Sequence, residues 1–177
     1  MISILLNGPS SAGKSSIAKM LREIFYNDSG LEYKIIALDD YLEMSAEESI
    51  WEDDVFKTTS LMCKDIMQSL DDGHGVILDH VMTSERIYQS VMSALPENSV
   101  MKVLVTCSLE ILRKREEDRG SRCAGSAEAS LLYLFPKDGY DISVDTGELS
   151  TEGAVDAIVS WMKQAKQTNF SLSTCSL

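Results

Sequence analysis

Residues 7–16 read NGPSSAGKSS and follow directly on the apolar run MISILL of residues 1–6. Gly8-Pro9-Ser10-Ser11-Ala12-Gly13-Lys14-Ser15 fits the spacing G-x-x-x-x-G-K-[ST] without a substitution. Glycine lets a backbone turn tightly and come close to a phosphate, and successive N–H groups then face inward as an anion nest. A helix starting near Lys14 presents its positive end to the same anion. The Lys14 ammonium can reach β- and γ-phosphates, the Ser15 hydroxyl can bind Mg²⁺, and Ser16 continues the turn. A random chain of this length holds the string roughly once in a hundred. Here it also stands between an expected strand and an expected helix, as the mechanism requires. Residues 8–16 are therefore the expected nucleotide-binding segment.

Outward from this loop, short apolar runs alternate with longer helical patterns. Strands are expected at 2–6, 33–38, 76–81, 100–107 and, short, at 140–146. Helices are expected at 13–25, 54–70, 84–95, 108–120, 126–135 and 150–167. In the first helix Ile17, Met20, Leu21 and Ile24 share one face, and NDSG at 27–30 ends it. Ser84 suits an N-cap and Pro96 a stop. Strands separated by helices pair in parallel through crossovers, which predicts a three-layer α/β fold. The first strand is apolar throughout and so belongs at the centre of the sheet, covered on both faces. One domain over residues 1–167 is expected, with 168–177 as a mobile C-terminal tail.

The 177 residues include 28 acidic and 16 basic ones, a net charge of -12. Such a chain repels nucleic acid and anionic membranes, so any phosphate ligand needs a local positive site. No apolar run approaches the roughly 18 residues of a membrane span, and MISILL is too short for a signal peptide. A cytoplasmic protein with reduced thiols is expected, and the spacing of Cys63, Cys107, Cys123 and Cys175 forms no metal or redox motif. A homo-oligomer stays open.

Ligands of open α/β sheets sit at the carboxyl ends of strands. Two of these ends carry acids: Asp39-Asp40 after the second strand and Asp79 in the third. Asp79 suits a magnesium partner beside a phosphate loop. Asp39 suits a base for a substrate hydroxyl, and Asp40 a helix N-cap. His80 should point to the face opposite Asp79 and reads as a satisfied packing residue. Arg113, Arg115, Arg119 and Arg122 fall within ten residues. Arg115 and Arg119 lie on one helix face and Arg122 follows Gly120, which together suggest a lid closing on polyphosphate. The plainer alternative is a solvated face, neutralised by Glu116, Glu117 and Asp118.

With these parts in place, the chain resembles the chloramphenicol phosphotransferase family of small P-loop kinases. LNGPSSAGKSS is similar to that family's loop, ALDD stands where the family has its catalytic Asp, and REEDRGSRCAG is similar to its arginine-rich lid. YDISVDT is similar to a segment near its last strand. The chain departs from the pattern at Pro9, where the family has glycine, and at Asp79-His80, where the antibiotic kinase has two acids. The resemblance implies a five-stranded parallel sheet of order 2-3-1-4-5 and ATP- and Mg²⁺-dependent phosphorylation of an alcohol on a small molecule. It implies Asp39 as base, Lys14 and Ser15 at ATP and magnesium, and Arg115, Arg119 and Arg122 as lid arginines. The acidic stretch 39–54 should line the acceptor pocket. It holds no arginine, so an uncharged or cationic alcohol is expected over a nucleoside monophosphate. A nucleoside or nucleotide kinase and a non-catalytic ATP-binding module are the alternatives.

Overall fold

The computed structural model describes residues 1–43 and 47–174, with side chains through Ala165. Five parallel strands form one sheet: β1 (Ser3–Asn7), β2 (Tyr33–Ala37), β3 (Gly75–His80), β4 (Val100–Thr106) and β5 (Ile142–Asp145), in the order β2-β3-β1-β4-β5. The helices are α1 (Lys14–Ser29), α2 (Glu52–Asp71), α3 (Glu85–Ala94), α4 (Leu109–Arg119), α5 (Ser126–Leu132) and α6 (Thr151–Thr174). The predicted order of strands is the observed one.

Every residue of β1 is buried, because its alternate side chains serve two cores. Ile4 and Leu6, with Ile77 and Val103, pack under Ile17 and Leu21 of α1 and Val155 and Ile158 of α6. Leu5, with Val76 and Leu78, packs under Val55, Met62 and Ile66 of α2 and Ile87 and Val91 of α3. Burying each such side chain is worth about 1.5–3 kcal/mol. Two layers of this kind fix the register, Leu5 lying opposite Leu78 on one side and Lys102 on the other.

Helix ends differ from the sequence reading where a local stop is weaker or stronger than assumed. The first helix runs through Asn27, Asp28 and Ser29, and ends only at Gly30, whose φ of 63° supplies the left-handed cap. Ser84 caps α3 as expected, accepting from the Ile87 N–H. Asp40 caps no helix. It closes a single 3₁₀ turn, Leu38–Asp40, and α2 starts only at Glu52, where Asp54 accepts from the Trp51 N–H. The last helix continues past residue 167 to Thr174, with no glycine or proline in 154–174 to end it. Cys63, Cys107 and Cys123 are free thiols, and Cys175 lies outside the described residues.

The chain leaves β1 toward one edge of the sheet and β3 toward the other, so a crevice opens between their carboxyl ends. Asn7, fully buried at the tip of β1, organises it. Its Oδ1 accepts from the Gly8 and Met82 N–H groups, and its Nδ2 donates to Phe135 O and Tyr140 Oη. One amide thereby ties the phosphate loop, the exit of β3 and the segment beyond α5. Among the described residues no helix is long and apolar enough to cross a membrane.

Candidate active site

The loop between β1 and α1 takes left-handed backbone at Ser11 (φ 64°) and Gly13 (φ 89°). Glycine does this freely, whereas for serine it stores roughly 1–3 kcal/mol of strain. Gly8 meets a need that its spacing does not reveal. A Cβ there would lie 2.0 Å from the Val105 carbonyl oxygen, so the close approach it permits is to β4.

The Lys14 ammonium folds back over the loop, donating to the carbonyls of Gly8 (3.1 Å) and Pro9 (2.9 Å). It lies 3.9 Å from Asp79 Oδ1. Burial pulls its pKa below the ordinary lysine value, and the charges of Asp79 and Asp39 oppose that pull. Ser15 Oγ donates to Asp79 Oδ2 at 2.6 Å. The hydroxyl and the carboxylate are adjacent hard oxygen donors. Mg²⁺ takes such donors together with waters and phosphate oxygens, so Ser15 and Asp79 fit that ion.

Asp39 stands across the crevice in the turn after β2. Its Oδ2 accepts from Arg119 Nη2 at 3.0 Å and also from Arg122 Nη2. Arg122 is the more enclosed of the two, with 8% of its side chain exposed against 43% for Arg119. The other arginines do different things. Arg113 pairs with Glu128 of α5. Arg115 donates to Thr146 Oγ1 (2.9 Å), Thr146 O (2.8 Å) and Ser11 O (3.5 Å). Thr146 in turn donates to Ala12 O at 2.9 Å. Arg115 thus braces the phosphate loop against the end of β5 while lining the crevice. Ser130 of α5 accepts from the Ser10 N–H at 2.9 Å, a further tie between the arginine segment and the loop.

His80 is fully buried, and among the described residues neither ring nitrogen has a hydrogen-bond partner. The expectation of a satisfied packing histidine is therefore corrected: the strand end encloses the ring and leaves neither nitrogen with a well-formed hydrogen bond. Burial, with Lys14 nearby, lowers its pKa to about 4, against a weaker opposing pull from the Val81 backbone. The ring is neutral at physiological pH.

Two adjoining clefts result. The smaller, about 290 Å³, is lined by Ser10, Ser11, Gly13, Lys14, Ser15 and Ser16 of the loop, by Asp39, Asp79 and His80, and by Arg115, Arg119 and Arg122. The larger, about 610 Å³, has walls from Leu38, Ile50, Trp51, Val55, Val81 and Tyr133, with the lid residues 122–126 at one side. Ser10, Leu38, Asp39, Val81 and Arg122 line both. Trp51 and Tyr133 leave 72% and 63% of their surface exposed.

A family model described as chloramphenicol phosphotransferase-like protein matches residues 2–163. The chain belongs to that family. The fold also matches a sugar kinase from Janibacter sp. HTCC2649, with TM-score 0.71 and 17% identity over 92% of this chain and 95% of that one. It matches the Mycobacterium tuberculosis APS kinase CysC in complex with AMPPNP and APS, with TM-score 0.68 and 16% identity over 92% and 97%. A gluconokinase from Sinorhizobium meliloti 1021 matches with TM-score 0.69 and 17% identity over 96% and 96%. At these identities the likeness is one of fold. Family and fold together make this a P-loop phosphotransferase architecture.

Within this chloramphenicol phosphotransferase-like chain, Ser10, Ser11, Gly13, Lys14, Ser15, Ser16, Asp39, Asp79, Arg115, Arg119 and Arg122 line the smaller cleft, whereas Gly8, Pro9 and Ala12, also expected at the nucleotide, do not. The acidic stretch behaves differently from its reading. Glu52 and Asp53 are bound by Arg86 of α3, Glu52 also accepts from Ser84, and Asp54 pairs with Lys57. The arginine at Glu52 and Asp53 was missed because it lies more than thirty residues along the chain. Arg122 likewise reaches the larger cleft from the lid. Thr146, Ser130 and the wall residues Trp51, Val81 and Tyr133 carried no motif that assigned them a place, although Thr146 falls in the segment shared with the family.

Proposed function

We propose that the protein transfers the γ-phosphoryl group of ATP to the hydroxyl of a small alcohol, with ATP and Mg²⁺ in the smaller cleft and the alcohol in the larger one. The observation that carries this reading is the position of Asp39 on the wall common to both clefts, held by Arg119 and Arg122. Loop N–H groups and Lys14 hold the β- and γ-phosphates. Ser15 and Asp79 hold the magnesium ion, which when bound neutralises charge on the phosphate oxygens. The alcohol oxygen forms a bond to Pγ as the bond from Pγ to the β,γ-bridging oxygen breaks. Asp39 Oδ1 takes the hydroxyl proton, ADP leaves, and Arg119 and Arg122 stabilise the charge spread over the transferring group.

The acceptor is an uncharged or cationic alcohol with an apolar body. Most of the exposed surface of the larger cleft is apolar, and among the described residues Arg122 is the only basic one lining it. Arg122 is paired with Asp39 and Glu52 with Arg86, while Glu48 and Asp39 also lie on this wall. Arg122 faces the transferring phosphoryl group in this scheme, so an acceptor phosphate would find no further guanidinium on this wall among the described residues.

Asp39→Asn tests the assignment. The variant keeps the shape of the side chain and loses the base. Turnover should fall by about a hundredfold or more, with AMPPNP affinity by calorimetry within about threefold of the parent. Equal turnover in the two proteins removes Asp39 from the chemistry.

A further inference from the structure

Glu116 stands out among the charged residues of the lid because it is buried, 6% exposed, in the middle of a run of exposed charges. An enclosed carboxylate is strongly destabilising unless hydrogen-bonded. Its partners are main-chain groups: Oε2 accepts from the Gly125 N–H at 2.9 Å and Oε1 from the Ala127 N–H at 2.7 Å. Charge-assisted bonds of this kind are among the stronger hydrogen bonds in proteins.

These two bonds close a ring. The chain departs from Glu116, turns at Gly120 (φ 63°) and Gly125 (φ 86°), and returns to the same carboxylate. Residues 117–124 are held at both ends, and the two arginines that grip Asp39 lie inside that span. One residue before Glu116, Arg115 fixes α4 to Thr146 and the phosphate loop. Neither glycine could hold the turn by itself, since both are free to adopt many backbone angles. The carboxylate selects one of them.

We infer that Glu116 is a positioning residue: it presents Arg119 and Arg122 to a γ-phosphoryl group and so sets the preference for a nucleoside triphosphate over a diphosphate. The nucleotide consequence rests on the phosphotransferase reading above, whereas the positioning itself does not.

Glu116→Gln tests both. The glutamine has nearly the same shape, keeps one acceptor, and turns an NH₂ group toward the other N–H. Affinity for AMPPNP with Mg²⁺ should fall about tenfold, while affinity for ADP with Mg²⁺ stays within about twofold. In ¹⁵N spectra, the buried Arg122 Nε–H should give a slowly exchanging signal in the parent that broadens in the variant. An unchanged AMPPNP-to-ADP affinity ratio, or an unchanged Arg122 signal, overturns the inference. Should the variant not fold, hydrogen exchange of the parent decides: protected Gly125 and Ala127 amides support the ring, and fast exchange of both refutes it. A parent protein that binds neither nucleotide would remove the phosphotransferase reading, and the Arg122 signal would then decide the positioning alone.

Discussion

The two clefts share a wall and are built on different principles. The smaller is built around a loop of fixed spacing, a helix start and the ends of two neighbouring strands, with Arg115, Arg119 and Arg122 closing one side. The larger is made by residues from separate stretches, at 10, 38–39, 48–55, 81–83, 122–126 and 129–133. Main-chain sites need particular residues at particular spacings, because only certain residues tolerate the backbone angles and approaches involved. Side-chain walls need only apolar bulk at the right place in space, which many sequences supply. The difference predicts that substitutions in the first cleft disturb nucleotide binding and chemistry, and those at residues that line only the second disturb acceptor binding alone.

The largest effect should come from Lys14→Ala. It removes the ammonium that sits on the Gly8 and Pro9 carbonyls beside Asp79. Transfer should drop on the order of a thousandfold, and calorimetry should show ATP affinity falling sharply. Unchanged ATP affinity would break the nucleotide half of the comparison.

His80 belongs to the floor of the smaller cleft and gives a pH signature. Its pKa is about 4 in the fold and 6.5 in an ordinary histidine. Below pH 6.5 the unfolded chain therefore binds a proton that the folded chain refuses. The stabilising contribution is complete above pH 6.5 and is lost as pH falls toward about 4, on the order of 3 kcal/mol in all. Urea midpoints measured from pH 7 to pH 4 should decline more steeply for the parent than for His80→Met. Parallel declines would mean that the ring takes up its proton as readily in the fold as in water.

Trp51→Ala should give the smallest effect and sharpen the contrast most. It strips an exposed aromatic wall from the larger cleft. The KM for an apolar alcohol should rise about tenfold, with ATP affinity unaltered. A change in ATP affinity instead would show that the two clefts are not separable.

The same contrast explains what could be read from the sequence. The strand order, the burial of MISILL and the cluster of Lys14, Ser15, Asp39, Asp79, Arg119 and Arg122 were legible, because each follows from periodicity, from a spaced motif or from the family resemblance. Arg115 was legible as part of the site but not as a brace, since its partner Thr146 comes from a distant strand end. Gly8 was legible as necessary, but the reason was not: its neighbour Val105 is brought close only by sheet pairing. The acidic stretch misled for a similar reason. Its charge was visible, and the arginine at position 86 that neutralises part of it becomes a neighbour only once α2 and α3 pack together.

The central claim is that the larger cleft holds an alcohol while the smaller one supplies a phosphoryl group. ADP release from ATP and Mg²⁺, measured across a panel of uncharged apolar alcohols and nucleoside monophosphates, tests it most directly. Release above the acceptor-free rate with one or more alcohols, and none with AMP, is the expected result. Efficient phosphorylation of AMP, with every alcohol silent, would contradict it.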